Sequence, residues 1–459
     1  MKLADLITKK VHIIGINGIG MSALAIYLKK NKIEISGSDI AKNSITDNLK
    51  KNGISVIIGH KESNVKNKDI IFYSSAIKDN PEIRAAKKNQ IPYFNRSKLL
   101  QIICKDKFTI VVSGSHGKTS TTSLLGHLLV SSGLNPTIIS GGIMKNFGQN
   151  IYLTDSNYVV VEADESDGTI FKLKPSYLIY LNVDKEHLDY YKSFSTLKKK
   201  IKNFILKTAE KSKVIINNDD EFLNTLKSYS PNIITFGKKN KSIYSFRNIK
   251  LTYNRSIFDL YKNNKIIQKE ISSPLVGEHN IQNLTSALVV MKDLDIKINI
   301  KNIMAFKGTL RRLNILGSIN KSIFIDDYAH HPTEIQKLID VSNLYKNNQI
   351  YLIIEPHRYS RLNDLYKEYL QTLKNINNLN ILRTYSAGEV FTKKMKNSKN
   401  LVNDLNVLYS QQTGYLDTYA DLFNLLDNLT SNNKKKIIIA AGAGSISNQF
   451  RLYYDSKKK

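Results

Sequence analysis

The chain has 459 residues and a formal charge of +29, from 68 lysines and arginines against 39 acidic residues. Its single cysteine, Cys104, excludes an internal disulfide and a cysteine-rich zinc cluster, and no apolar run approaches the roughly 20 residues needed to cross a bilayer. The lysines are scattered, with only short runs at 198–200 and 434–436 and no aromatic-interleaved basic stripe, so a phosphate-bearing small molecule matches the charge better than a polynucleotide does.

Length allows two to four domains, and the absence of an N-terminal signal predicts a soluble cytoplasmic protein. The first predicted strand, 11–14, runs into Gly15-Ile16-Asn17-Gly18-Ile19-Gly20-Met21 and a helix to about Lys30. A second strand, 33–36, leads to Gly37-Ser38-Asp39. Glycines at a helix start, then an acidic residue about twenty positions on, suit a diphosphate and a ribose-type hydroxyl. Asn17 stands where G-x-G-x-x-G has its middle glycine, and a purely structural turn is the alternative. Strands predicted at 56–58 and 70–73 carry Gly59-His60 and Ser74-Ser75 at their C-terminal ends, where such sheets bind ligands.

An apolar run at 108–112 predicts a buried strand and 121–130 a helix. Between them lies Gly114-Ser115-His116-Gly117-Lys118-Thr119-Ser120. Small residues before a helix start admit a phosphate to free backbone N–H groups, Lys118 would reach the terminal phosphates, and the Thr119 hydroxyl would hold Mg²⁺. The strict phosphate-loop pattern would have glycine at the place of Val112. Another strand, 158–161, ends in Glu162-Ala163-Asp164-Glu165-Ser166-Asp167, a carboxylate cluster suited to Mg²⁺ beside such a loop. Residues 177–183 predict a strand leading to His187, which is either a second metal ligand or a polar loop histidine. Gly277-Glu278-His279-Asn280 precedes a helix at 281–291, and its polar groups either meet an adenine edge or cap the helix.

From about residue 313 a third α/β unit is expected. A strand at 323–325 leads to Asp326-Asp327-Tyr328-Ala329-His330-His331-Pro332, with Pro332 suited to a helix's first turn. One at 351–354 leads to Glu355-Pro356-His357-Arg358-Tyr359-Ser360-Arg361, and one at 436–440 to Ala441-Gly442-Ala443-Gly444. Polar clusters at consecutive strand ends predict one face turned toward a ligand.

In order and spacing these segments, with Glu186-His187-Leu188-Asp189 and Arg311-Arg312, resemble the bacterial Mur ligase family from Val11 to Gly444. The motifs at 326–332 and 356–361 are most similar to its L-alanine-adding branch. The resemblance implies three α/β domains: a Rossmann-like UDP-sugar domain at 1–105, a central P-loop ATPase-type domain at 106–312 and a Rossmann-like amino-acid domain at 313–459. It implies an ATP-dependent amide ligase that activates the lactyl carboxylate of UDP-N-acetylmuramate as an acyl phosphate, which L-alanine attacks. Domain closure would exclude water from that intermediate.

By position, Gly15, Gly18, Gly20, Asp39, Ser74 and Ser75 would bind the UDP-sugar. ATP would lie against Gly114 to Ser120, with Lys118 on its β/γ-phosphates, His279, Asn280 and Asn283 at adenine, Asp327 at the ribose, and Arg312 and His330 on phosphate. Thr119 and Glu162 would hold one Mg²⁺ and His187 a second, with Mn²⁺ an alternative ion. Lys118, His187, Arg312 and His330 form the implied catalytic set. Tyr328, His357, Arg358 and Arg361 would make the L-alanine pocket, an arginine taking the carboxylate in bidentate geometry. Some family members carry a carbamylated lysine near the second metal; Ile201 stands at the aligned position here. No nucleic acid, no membrane insertion, and a monomer or weak homodimer are expected. The competing expectations are a murein-peptide recycling ligase and, in a different class, a nucleotide- or nucleic-acid-binding regulator.

Overall fold

The computed structural model describes residues 1–74, 77, 79–165, 168–186, 188–238 and 241–458. The chain divides into two compact units: Met1–Ile249, Ile257–Pro274 and Asn280–Gly308 form one, and Lys250–Ser256, Leu275–His279 and Thr309–Lys459 the other. Among the described residues, no helix is long and apolar enough to cross a membrane.

The first unit opens with five parallel strands, β1 (Lys10–Ile14), β2 (Glu34–Asp39), β3 (Ser55–Ile58), β4 (Ile70–Tyr73) and β5 (Tyr93–Asn95), in the order β3-β2-β1-β4-β5. Helices cover both faces of such a sheet, so its central strand is buried on both: Val11, Ile13 and Ile14 are fully buried, and so is His12, whose Nδ1 lies 2.9 Å from Ser36 Oγ. The order reverses between β1 and β4, and the crevice beyond their carboxyl ends receives the turn after β1 and Ser74 after β4.

The same unit holds most of the central ten-stranded sheet. Its strands are β6 (Phe108–Ser113), β7 (Thr137–Met144), β8 (Gln149–Tyr152), β9 (Tyr158–Glu162), β10 (Tyr177–Tyr180), β11 (Lys213–Asn217), β12 (Ile233–Gly237), β13 (Tyr244–Thr252), β14 (Arg255–Lys262) and β15 (Lys265–Ser273). The end of β13 and the start of β14, within Lys250–Ser256, belong to the other unit. β6 lies between β10 and β9, parallel to both, so the ends of all three strands converge on the turn that follows β6. The strand expected to run to residue 183 stops at Tyr180: the Leu181 N–H still bonds Ser113, the last residue of β6, but the Asn182 carbonyl goes to the Ser115 N–H of the turn. The helix expected from 121 begins at Lys118, and the one expected from 281 begins at Glu278.

The second unit has β16 (Asn314–Ile319), β17 (Ser322–Asp327), β18 (Gln349–Glu355), β19 (Leu379–Leu382), β20 (Gly414–Leu416) and β21 (Lys436–Gly442), in the order β16-β17-β21-β18-β19-β20. All pairs are parallel except β16 with β17. Alternate residues of one strand serve opposite faces. Ile437, Ile439 and Ala441 therefore join one apolar cluster while Ile438 and Ala440 join the other. Pro332 takes the first turn of the helix Pro332–Ser342, as expected, with His331 as its N-cap.

Candidate active site

The turn after β6 is built to leave a helix start open. Gly117 is the N-cap of the helix Lys118–Ser131 at φ +86°, a backbone state that favours glycine, and no side chain caps the first amides. A Cβ at Gly117 would also lie 2.7 Å from Oδ1 of Asn283. Asn182 clamps the turn: its Oδ1 accepts the His116 N–H at 2.7 Å, its Nδ2 donates to the His116 carbonyl at 3.0 Å, and its own carbonyl accepts the Ser115 N–H at 3.1 Å. Ser115 Oγ in turn accepts the Asp184 N–H at 2.9 Å, and His116 Nε2 lies 3.1 Å from Asp184 Oδ2. Gly114 is buried at the start of the turn, and Ser120 is half-buried in the first turn of the helix.

Lys118 is buried with its ammonium among oxygens. It donates to the carbonyls of Gly114 at 2.6 Å and Ser115 at 3.2 Å and pairs with Asp164 at 3.2 Å and Glu165 at 3.4 Å. Burial works against its charge, but the carboxylates of Asp164, Glu165, Glu186 and Glu162 outweigh that and hold its pKa above the ordinary lysine value. Burial pushes the Glu165 carboxyl up, against the pull of Lys118. The carboxylates expected to serve a cation are therefore divided: Asp164 and Glu165 face Lys118, while Glu162 Oε1 accepts the Thr119 hydroxyl at 2.9 Å. Asn280 and Asn283 are buried at the start of the helix Glu278–Asp293, with Asn283 Nδ2 3.4 Å from Asn280 Oδ1.

In the N-terminal sheet, Gly15 has φ +76° and its N–H bonds the Ser38 carbonyl at 2.8 Å. Asn17, the residue that departs from the glycine pattern, is held within the turn: its N–H bonds Asp39 Oδ2 and its Nδ2 the Ala41 carbonyl, each at 2.8 Å. Asp39 also accepts the Ile40 N–H, so its carboxylate braces the turn. Gly18, Gly20 and Ser74 line a cleft of about 350 Å³ that also includes Arg96, Gly141, Glu162 and Asp164. Ser75 and His187 lie outside the described residues.

In the second unit, Tyr328 is overlaid by two guanidinium groups, with Arg311 Cζ 4.6 Å and Arg312 Cζ 5.0 Å from its ring centroid. Arg312 also pairs with Glu334 at 3.5 Å. His330 Nδ1 lies 2.9 Å from the Tyr328 carbonyl and its ring 5.9 Å from that of His357. His357 stacks on Tyr385 at 5.4 Å, and Arg361 reaches His357 Nδ1 at 3.4 Å. Arg358 is exposed at φ +69°, its N–H held by the Tyr385 carbonyl at 2.8 Å. Tyr328, His330, His357 and Arg361 are thus brought together, with Arg358 beside His357. Burial lowers His330 to about 3, and burial with Arg361 and Arg358 lowers His357 to about 4. Burial, with Lys337 and Arg312 adding to it, lowers His279 to about 3.

Asp327, expected at the ribose, braces its own loop: its carboxylate accepts the Leu313 N–H at 2.6 Å and the Ala329 N–H at 2.7 Å, and burial pushes its pKa up to about 6. The glycine turn after β21 is likewise closed from within: buried Glu355 accepts the Ile446 N–H at 3.1 Å and the Tyr419 hydroxyl at 2.9 Å. Sequence reasoning missed Asn182, Arg96 and Tyr385; none stands in a recognisable motif, and each gains its place only when distant segments meet.

A strand–glycine-turn–helix with a buried lysine and a threonine-linked carboxylate, next to a dinucleotide-type sheet, defines a nucleotide-using enzyme class. The chain belongs to the Mur ligase family. Family models match in order along it: "Mur ligase family, catalytic domain" at 10–108, "Mur ligase middle domain" at 112–291 and "Mur ligase, glutamate ligase domain" at 311–444. The UDP-N-acetylmuramate–L-alanine ligase of Pelagibacter ubique is 38% identical over 97% of this chain and 98% of its own length. That of Rickettsia bellii is 35% identical over 98% and 96%. The crystal structure of UDP-N-acetylmuramate–alanine ligase from Thermotoga maritima superposes with a TM-score of 0.83 at 26% identity, covering 98% of this chain and 99% of that one. A murein peptide ligase from Psychrobacter arcticus shares the fold at a TM-score of 0.69 and 18% identity, over 98% of each chain.

Proposed function

We propose that the protein is an ATP-dependent amide ligase that joins L-alanine to the lactyl carboxylate of UDP-N-acetylmuramate, releasing ADP and phosphate, in the cytoplasmic assembly of peptidoglycan precursors. The observation that carries this reading is full-length similarity to ligases of that name, together with an open phosphate turn in the same compact unit as a dinucleotide-type cleft.

A carboxylate resists an amine because its oxygen is a poor leaving group. Transfer of the γ-phosphoryl group of ATP makes an acyl phosphate, and the transfer brings two anions together, so it depends on fixed cationic and N–H groups. Gly114 to Ser120 receive the triphosphate, the amides of the helix start and Lys118 hold it, and Asn280 and Asn283 lie at the base. The cleft lined by Gly18, Gly20 and Ser74, with Gly15 and Asp39 in the turn beside it, takes the UDP-sugar, whose carboxylate meets the ATP phosphates. In the second unit, we assign Tyr328, His357, Arg358 and Arg361 to L-alanine and Arg312 and His330 to phosphate. We assign Asp327, which also shapes the loop that carries Tyr328, to the ATP ribose. The uncharged amine then attacks, and the tetrahedral adduct collapses to amide and phosphate.

Thr119 Oγ1 and Glu162 Oε1 are hard oxygen donors 2.9 Å apart, a set that fits Mg²⁺, and these two residues would hold it. Such an ion supplies charge neutralisation on the transferred phosphoryl group. Residue boundaries of 1–105, 106–312 and 313–459 for the three domains, and a monomer or weak dimer, complete the proposal.

The test is phosphate release measured with ATP, UDP-N-acetylmuramate and L-alanine, omitting one component at a time. Release that needs all three supports the reading; release without the sugar nucleotide, or with a tripeptide in preference to L-alanine, overturns it.

A further inference from the structure

Arg358 stands in a backbone state that an arginine rarely adopts. It is the N-cap of the helix Tyr359–Asp364, at φ +69° and ψ +135°, a region where a Cβ is crowded and glycine is the usual occupant. A bulky residue persists there only where its surroundings fix the chain on both sides of it.

One short turn supplies both fixings. Tyr385, beyond β19, pairs with the stretch that follows β18. Its N–H bonds the Pro356 carbonyl at 2.9 Å, and its carbonyl takes the Arg358 N–H at 2.8 Å. The chain then reverses through Ala387 at φ +51° and Gly388 at φ +84°, and the Glu389 N–H closes the reversal on the Ser386 carbonyl at 3.0 Å. The reversal brings the Glu389 carboxylate to the other side of Arg358. There Oε2 accepts the Ser360 N–H at 3.0 Å and Oε1 accepts the Ser360 hydroxyl at 2.6 Å. Phe391 continues the contact, its ring centroid 5.1 Å from that of Tyr359. Burial opposes the charge of Glu389, but the Ser360 hydroxyl and N–H, with Arg358 adding to them, hold its carboxyl below the usual carboxylate range. It is therefore ionised at neutral pH and a strong acceptor, with both oxygens engaged by Ser360.

We propose that Glu389 is a positioning residue: by tethering Ser360 it keeps Arg358 in its strained backbone, and so keeps the guanidinium aimed at the carboxylate of the amino-acid substrate. This rests on the ligase reading, which assigns Arg358 to L-alanine. Positive φ sends the side chain off the backbone in a direction that an ordinary helix start does not allow, beside the same His357 that Arg361 reaches at 3.4 Å. Without the tether, residue 358 relaxes to an ordinary backbone and its guanidinium leaves the pocket.

Steady-state kinetics of the full chain, with each substrate varied in turn, test this. Glu389→Ala should raise the KM for L-alanine about tenfold or more, with kcat and the KM values for ATP and UDP-N-acetylmuramate within about threefold. Glu389→Gln should restore the KM for L-alanine to within about threefold of wild type, because its amide can still accept the Ser360 N–H and donate to the Ser360 hydroxyl oxygen. Adding Glu389→Ala to Arg358→Ala should cost nothing further, since both changes remove one interaction with substrate. An unchanged KM for L-alanine in Glu389→Ala overturns the proposal, and an equal rise in all three KM values reduces Glu389 to a structural part. Glu389→Gln as impaired as Glu389→Ala would show that charge matters and not the tether, and additive losses in the double variant would show that Glu389 acts by a route other than Arg358; either result overturns it. Wild-type phosphate release that ignores L-alanine would sink the ligase reading instead. The tether is then read from thermal melts: Glu389→Ala and Ser360→Ala should each lower the Tm and the double variant no further, and additive losses refute it.

Discussion

Thr119 Oγ1 donates to Glu162 Oε1 across 2.9 Å, which ties the first turn of the phosphate-loop helix to the last residue of β9. The second carboxylate oxygen accepts the Gly141 N–H, so Glu162 is fixed from two sides. A ligand held this way has little freedom to lose when a cation arrives. Glu162→Ala is expected to raise the Mg²⁺ concentration for half-maximal ADP formation by about tenfold or more. A Mg²⁺ titration of ADP release reads this directly, and an unshifted midpoint would remove Glu162 from the cation site.

Lys118 offers the central charge of the phosphate turn. Lys118→Ala is expected to lower ADP formation by about a hundredfold or more, with UDP-N-acetylmuramate affinity within about twofold. Coupled-assay rates and calorimetry on the same preparation check both halves. Wild-type ADP release in the variant would contradict the assignment.

The alanine pocket is tested by comparing two Michaelis constants. Arg358→Ala or Arg361→Ala is expected to raise the KM for L-alanine about tenfold or more while that for ATP moves less than about threefold. Equal changes in both constants would remove the pocket as drawn.

Acid should weaken the second unit. His279 and His330, lowered to about 3, and His357, lowered to about 4, stay neutral in the folded chain well below the pH at which they charge when unfolded. Their contribution is whole above about pH 6.5 and is lost as pH falls toward those values, on the order of 1.4 kcal/mol per pH unit for each. Asp327, raised to about 6, and Glu355, also raised, work the other way, because their protonated forms favour the fold. Three histidines against two carboxyls leave a net loss between pH 6.5 and 5. Thermal melts should show a lower Tm at pH 5 than at pH 7, with a smaller difference in His330→Asn. A Tm that holds steady across that interval would refute this balance.

The parts of the site that could be read from sequence are those made by neighbours in the chain. Gly114 to Thr119 announce a phosphate turn because strand, turn and helix are consecutive, and Glu162 is legible because a strand end beside such a turn has few other uses. Asn182 is different: it lies inside a stretch that reads as strand, and only the pairing of β10 with β6 brings its amide to His116. Arg96 joins its cleft only where two helices meet. Asp327 was legible as a polar strand end, but the two backbone N–H groups that occupy its carboxylate belong to a loop closure that spacing does not encode.

Glu355 gives the two units different prospects as drug targets. In the second unit a carboxylate already sits on the amide of Ile446, behind a glycine turn that otherwise resembles a nucleotide grip. A compound built to imitate a triphosphate would have to evict that side chain, whereas the helix start at Gly117 carries no side-chain cap to displace. Saturation at one such inhibitor per chain is therefore the stoichiometry to expect.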